Sequence, residues 1–256
     1  MAEARSTRRL LILGGTGEAR ELARVLDETP VRGGTRWSVI SSLAGRTSTP
    51  EPVAGPTRRG GFGGTPGLVA YLAANAIDVI VDATHPFAES ISLQAADAAA
   101  AAGIACYRLV RPPWTPEPGD TWITVRDVAE AAARVPAGAR VFLTIGRQQL
   151  APFLARQDIR LVARMIEPPD PPLPDRAELI LARPPFSADG ERALLTARRI
   201  DMVVTKNAGG DQVRAKLDAA RDLGLPVMMI ARPPDQPPAD AGTVRELLSL
   251  LARHDA

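Results

Sequence analysis

Short runs of consecutive apolar residues recur along this chain, and stretches with helical spacing separate them. The first run, Leu10-Leu11-Ile12-Leu13, breaks on Gly14, Gly15 and Gly17. Ala19, Leu22, Ala23, Val25 and Leu26 then share one helical face. Strands that are apolar without alternation need cover on both faces, which is the condition of a parallel sheet lying between helices. Further strands are expected at 37–41, 78–82 and 105–110, with helices near 17–28, 66–75 and 87–102.

Residues 111–120 interrupt this rhythm with four prolines and read as a linker or surface crossing. Strands at 121–125, 140–145, 160–165, 178–182, 201–205 and 226–231 follow, with helices near 128–134, 148–154, 188–199, 212–223 and 243–253. The expected fold class is α/β, with two Rossmann-like domains, mainly parallel sheets and an interdomain cleft. The first domain is expected over 1–110, a Pro-rich linker over 111–120 and the second domain over 121–256. A single continuous sheet is the alternative.

Composition narrows the function. The chain has 256 residues, 45% apolar and 23% charged, as in ordinary globular proteins. A net charge of +2 is too small to argue for nucleic acid. The one cysteine, Cys106, lies in an apolar strand and reads as a small core residue; a lone cysteine builds no disulfide framework and fits a reducing cytoplasm. No apolar run approaches a membrane span, and no signal peptide precedes the first strand. Lysine occurs only at Lys206 and Lys216, among 31 basic residues. Lys206 ends an apolar strand and suits an anionic ligand, whereas Lys216, inside a helix, reads as a solvated charge. Walker-type Gly-Lys-Ser/Thr, Tyr-x-x-x-Lys and Gly-x-Ser-x-Gly motifs are absent, and the two histidines and the cysteine form no metal cluster.

Ligands of open parallel sheets bind beyond the carboxyl ends of the strands. Gly14, Gly15, Thr16, Gly17 and Glu18 form a strand–turn–helix junction whose free N–H groups suit phosphate, although Arg20 stands where a dinucleotide fingerprint has its third glycine. After the second strand Ser41, Ser42 and Arg46 offer hydroxyls and a cation but no acid, a pattern favouring a 2′-phosphate and thus NADP(H) over NAD(H). The glycine-rich stretch 57–65 reads equally as a ligand-approaching loop or a flexible connection. Thr84 and His85 precede Pro86, placed like a first helical residue; either can cap that helix, and His85 can donate a proton. In the second half Arg147, Arg183, Lys206 and Asn207 follow strands and suit an anionic substrate.

Four segments, 14–20, 82–88, 144–148 and 205–210, together resemble the precorrin-6A reductase family, and the similarity runs over nearly the whole chain. Ala208 departs from the serine often found there. The resemblance implies an NADPH-dependent enzyme of cobalamin (vitamin B12) biosynthesis that reduces one carbon–carbon double bond of precorrin-6A to give precorrin-6B. It implies NADPH/NADP+, which the residues above place at Gly14, Gly15, Thr16, Gly17, Glu18, Ser41, Ser42, Arg46 and Thr84; His85 or Lys206 is the candidate proton donor, with solvent water as the alternative. A polycarboxylate tetrapyrrole substrate would meet Arg147, Arg183, Lys206 and Asn207, without metal. No nucleic acid or membrane partner is expected, and the protein would be a monomer or weak homo-oligomer. An NADP(H)-binding redox sensor or scaffold without turnover is the alternative, with a nucleotide-dependent transferase as a rival enzyme class.

Overall fold

The computed structural model describes residues 7–28, 36–45 and 51–254. It divides into two compact units, residues 1–111 with 234–256 and residues 112–233. In the first, β1 (Thr7–Leu13), α1 (Gly17–Glu28), β2 (Arg36–Leu43), β3 (Thr57–Arg59), α2 (Gly64–Ala74), β4 (Val79–Asp82), α3 (Glu89–Ala102) and β5 (Ala105–Arg108) build a sheet of order β3-β2-β1-β4-β5, every pair parallel. The second comprises β6 (Trp122–Val125), α4 (Val128–Arg134), β7 (Arg140–Thr144), α5 (Ala151–Leu154), β8 (Arg160–Met165), β9 (Ala177–Leu181), α6 (Ala188–Ala197), β10 (Met202–Lys206), α7 (Ala215–Asp222) and β11 (Val227–Ile230). Its sheet, order β6-β11-β10-β7-β8-β9, is also parallel throughout. These are two Rossmann-like units.

The unalternating strands have the expected cause. Leu10 and Ile12 pack with Ala19, Leu22 and Leu26 of α1, while Leu11 and Leu13 pack with Leu68 and Leu72 of α2 and Ala95 and Ala98 of α3. Each fully buried leucine or isoleucine contributes about 1.5–3 kcal/mol.

Two boundaries differ from expectation. Helix α8 (Val244–His254) joins the first unit, where Val244, Leu247 and Leu251 enter the same core as Leu10 and Ile12. Leu109 pairs with Ala241, and Val110 N–H donates to the Ala241 carbonyl at 2.9 Å. The second unit therefore ends near Pro233 rather than running to 256. Nor is the proline-rich stretch a free linker. Buried Trp114 donates its backbone N–H to Asn207 Oδ1 at 2.8 Å and its Nε1–H to the Gly210 carbonyl at 3.0 Å, and Arg221 bonds Asp120 at 2.9 Å. Prolines there shape a covering strap, which packs into the second unit.

Lys216 is also not solvated. It is 3% exposed, donates from Nζ to the Val213 carbonyl and sits 4.8 Å from the centre of the Trp114 ring. Arg164, in the interior of β8, pairs bidentately with Glu191 of α6 and stacks 3.7 Å over Phe186, so this buried cation is neutralised within the unit.

Candidate functional site

Each sheet reverses its strand order once, between β1 and β4 in the first unit and between β7 and β10 in the second. Helices leave neighbouring strands on opposite faces at such a point, which opens a crevice at the carboxyl ends. Gly14 to Glu18, Thr84 and His85 follow β1 and β4, and Arg147, Lys206 and Asn207 lie at the ends of β7 and β10, whereas Ser41 and Ser42 lie at the end of β2 and Arg183 follows the edge strand β9.

In the first unit the turn after β1 is held open by glycine. Gly15 has φ +113°, and a Cβ added there would meet nothing within 4 Å, so its backbone borders open space. Gly14 is confined instead: its N–H donates to the Ser42 carbonyl at 2.9 Å, and an added Cβ would lie 3.4 Å from Ala19 Cβ. Thr16 is buried, accepts from Ala19 N–H at 3.1 Å and donates to the Ala83 carbonyl at 2.7 Å. Its hydroxyl thus caps α1 and ties the β1 turn to the β4 turn. Gly17 and Glu18 form the first turn of α1, and Glu18 pairs with Arg111 at 2.8 Å, offsetting the one acid beside this anion-attracting helix start.

Ser41 and Ser42 end the buried part of β2 on opposite faces. Ser42 Oγ accepts from Arg58 at 2.9 Å, whereas the buried Ser41 Oγ has no hydrogen-bond partner among the described residues. Arg46 lies outside the described residues.

At the end of β4, buried Asp82 organises the next turn. Its Oδ1 accepts from Thr84 N–H at 3.1 Å and from Thr84 Oγ1 at 2.6 Å. Its Oδ2 faces Arg108 Nε at 3.3 Å. Arg108 also donates to Gln236 Oε1 and the Pro237 carbonyl, and Gln236 donates to the Pro86 carbonyl at 2.7 Å. The carboxyl-terminal segment thereby fixes the His85–Pro86 turn. Helix α3 starts at Glu89 with Ala88 as its cap, so neither Thr84 nor His85 caps it, contrary to expectation. His85 Nδ1 accepts from Phe87 N–H at 3.2 Å, which puts the ring proton on Nε2.

In the second unit Thr144 ends β7 and Gly146 and Arg147 follow it, while Lys206 ends β10 and Asn207 follows. Gly146 has φ +87° with open space at its Cβ position. Arg147 faces Glu167 at 3.4 Å, and Arg183 follows β9. Asn207 holds Trp114 with both ends of its amide, accepting at 2.8 Å and donating to the Trp114 carbonyl at 3.0 Å. Asn207 thus ties the strap that carries Trp114 to the end of β10. Gly209, φ +70°, leaves no room for a side chain, because a Cβ would lie 2.1 Å from the Pro112 carbonyl oxygen.

Residues 9–252 match the family model described as precorrin-6x reductase CbiJ/CobK. The chain belongs to this family. A protein of Rhodococcus erythropolis named precorrin-6A reductase is 51% identical, with 95% of this chain and 96% of that one covered. A cobalt-precorrin-6A reductase of Salmonella typhimurium is 30% identical, covering 88% and 87%. A solved structure titled CobK precorrin-6A reductase superposes with a TM-score of 0.90 at 44% identity, covering 97% of this chain and 98% of that one.

Within this CbiJ/CobK chain, sequence reasoning missed Asp82, Arg108, Gln236 and Arg58. For Asp82 a signal existed: a carboxylate closing a fully apolar strand requires a buried partner. Arg108 and Gln236 gave none, since the bond between them and that of Gln236 to Pro86 join segments over a hundred residues apart. Among the described residues no helix is long and apolar enough to cross a membrane.

Proposed function

We propose that this protein is an oxidoreductase that uses NADPH to reduce one carbon–carbon double bond of precorrin-6A, giving precorrin-6B in cobalamin biosynthesis. The observation that carries this reading is the family match across nearly the whole chain, joined to an open glycine turn at the first unit's switch point. That turn fits a nicotinamide dinucleotide. Open space beyond Gly15 admits a pyrophosphate, and the buried, partnerless Ser41 Oγ is a polar atom awaiting a ligand. Gly14, Gly15, Thr16, Gly17 and Glu18 would hold the pyrophosphate, with Ser41, Ser42 and Arg46 towards the 2′-phosphate and Thr84 bordering the coenzyme.

NADPH, when bound, supplies the hydride. The protein's tasks are to position the substrate, to hold water away and to present a proton to the neighbouring carbon. His85, with its proton on Nε2, and Lys206 are the candidate donors. Arg147, Arg183 and Lys206 offer cations for the carboxylate arms of a tetrapyrrole, and Asn207 keeps the adjoining strap in place. Higher identity to the relative named for precorrin-6A than to the one named for cobalt-precorrin-6A favours a metal-free macrocycle.

The test is to mix purified protein, NADPH and metal-free precorrin-6A and follow coenzyme absorbance together with the pigment spectrum. One NADPH consumed per pigment converted supports the reading. Coenzyme binding without turnover would instead favour a sensor or scaffold.

A further inference from the structure

The glycine-rich stretch after β3 is organised around one arginine. Arg58 sits beside Ser42 in the β2–β3 register, and its Nη1 donates to Ser42 Oγ at 2.9 Å and to the Gly60 carbonyl at 2.9 Å. Nη2 donates to the Gly61 carbonyl at 3.0 Å. The guanidinium lies 3.8 Å from the centre of the Phe62 ring and 5.1 Å from that of Tyr71. Gly67 lets the loop fold back, since a Cβ there would lie 1.7 Å from the Phe62 carbonyl oxygen. The cation is thus half-buried and oriented by an aromatic platform.

No carboxylate pairs with Arg58 among the described residues; its partners there are neutral oxygens and rings. A partly desolvated cation without a counter-ion is costly unless a ligand supplies the negative charge. Two of its five N–H groups, one on Nε and one on Nη2, are not spent on these bonds. Ser42 links the site onward, for its carbonyl accepts the Gly14 N–H of the phosphate turn at 2.9 Å. Rossmann units hold the adenosine ribose past the carboxyl end of β2, and Arg58 stands beside Ser42, one residue short of that end, with its guanidinium on the Gly60 and Gly61 carbonyls that follow β3. Gly60, Gly61 and Gly63 leave open space where side chains would project.

We propose that Arg58 reads the 2′-phosphate that distinguishes NADPH from NADH. This rests on the reading that the β1 turn takes the coenzyme, and it assigns the glycine-rich loop the task of presenting a pre-oriented guanidinium to a phosphate dianion. It also explains the stack on Phe62: the platform keeps the planar fork from reorganising when the phosphate arrives.

The experiment titrates wild type, Arg58→Ala, Arg58→Lys and Arg46→Ala with NADPH and NADH, and displaces NADPH with 2′,5′-ADP or 5′-AMP. Arg58→Ala should weaken NADPH and 2′,5′-ADP about tenfold or more, leaving NADH and 5′-AMP within about twofold, with Arg58→Lys intermediate. An arginine that merely holds the loop would lower both coenzymes alike, and that result overturns the proposal. Full loss of the preference in Arg46→Ala alone, with Arg58→Ala unchanged, overturns it too while leaving the coenzyme reading intact. A wild type without preference for NADPH removes the coenzyme reading itself, and the proposal with it. Should Arg58→Ala not fold, Arg58→Gln and Arg58→Lys carry the comparison.

Discussion

Asp82 and Arg108 form an ion pair from which water is excluded, with Oδ2 and Nε 3.3 Å apart at the ends of β4 and β5. Neither charge stands alone. Thr84 bonds the other carboxylate oxygen, and Asp240 accepts the Arg108 backbone N–H at 2.7 Å. Removing one partner leaves the other buried and uncompensated. Arg108→Met should therefore destabilise the protein by about 3–5 kcal/mol, read from urea unfolding. A loss below about 1 kcal/mol would mean that water reaches the pair after all.

His85 should show itself in the pH profile rather than in stability. Its Nδ1 bond to Phe87 N–H is local, and the turn is held independently by Gln236 on the Pro86 carbonyl. His85→Gln should lower turnover by about 10²-fold or more, flatten the pH dependence and leave KM for NADPH nearly unchanged. An unaltered rate and profile would transfer the proton to Lys206 or to water.

Gly209 and Gly138 both have positive φ, +70° and +82°, yet only Gly209 faces another backbone. Gly138→Ala should cost about 1–2 kcal/mol, the penalty of the left-handed conformation alone. Gly209→Ala adds a collision with the Pro112 carbonyl and should cost clearly more, and it should loosen Trp114. Thermal melts with tryptophan fluorescence compare the two. Equal costs would show that the strap gives way freely.

Cys106 should be inert. Burial first, then the charges of Asp82 and Asp240, push its thiol up to about 12, against the lowering influence of Arg108. The folded state therefore holds this proton more tightly than the unfolded chain does. The resulting stability is complete below the unfolded value near 9 and is lost as pH rises towards 12. Iodoacetamide at pH 8 should label native protein far more slowly than urea-unfolded protein, and Cys106→Ala should lessen the alkaline loss of stability. Rapid native labelling would contradict this.

The periodicity of the chain announced both sheets because buried parallel strands carry uninterrupted apolar runs, as Leu10–Leu13 and Val79–Val81 do. Strand β3 escaped notice: Thr57, Arg58 and Arg59 contain no apolar residue, and an edge strand needs none. Helix α8 was legible as a helix, but spacing at Val244, Leu247 and Leu251 cannot say which core receives it. Lys216 misled because a lysine is soluble by default; its burial follows from Leu217, Ala219 and Ala220, which bury much of α7. At the candidate site the glycine turn was visible as composition. The clamp of Asp82, Arg108 and Gln236 was not, because it exists only once distant segments meet.

Because α8 and Ala241 complete the first unit's core, that unit is discontinuous, with all of residues 112–233 inserted into it. Vectorial synthesis then reverses the order of maturation. The inserted unit can fold while the ribosome is still working, whereas the earlier-made unit must wait, with one flank of Leu10 and Ile12 uncovered, for residues translated after it. A chain cut short beyond residue 233 would thus keep a finished insert and lose the half made first.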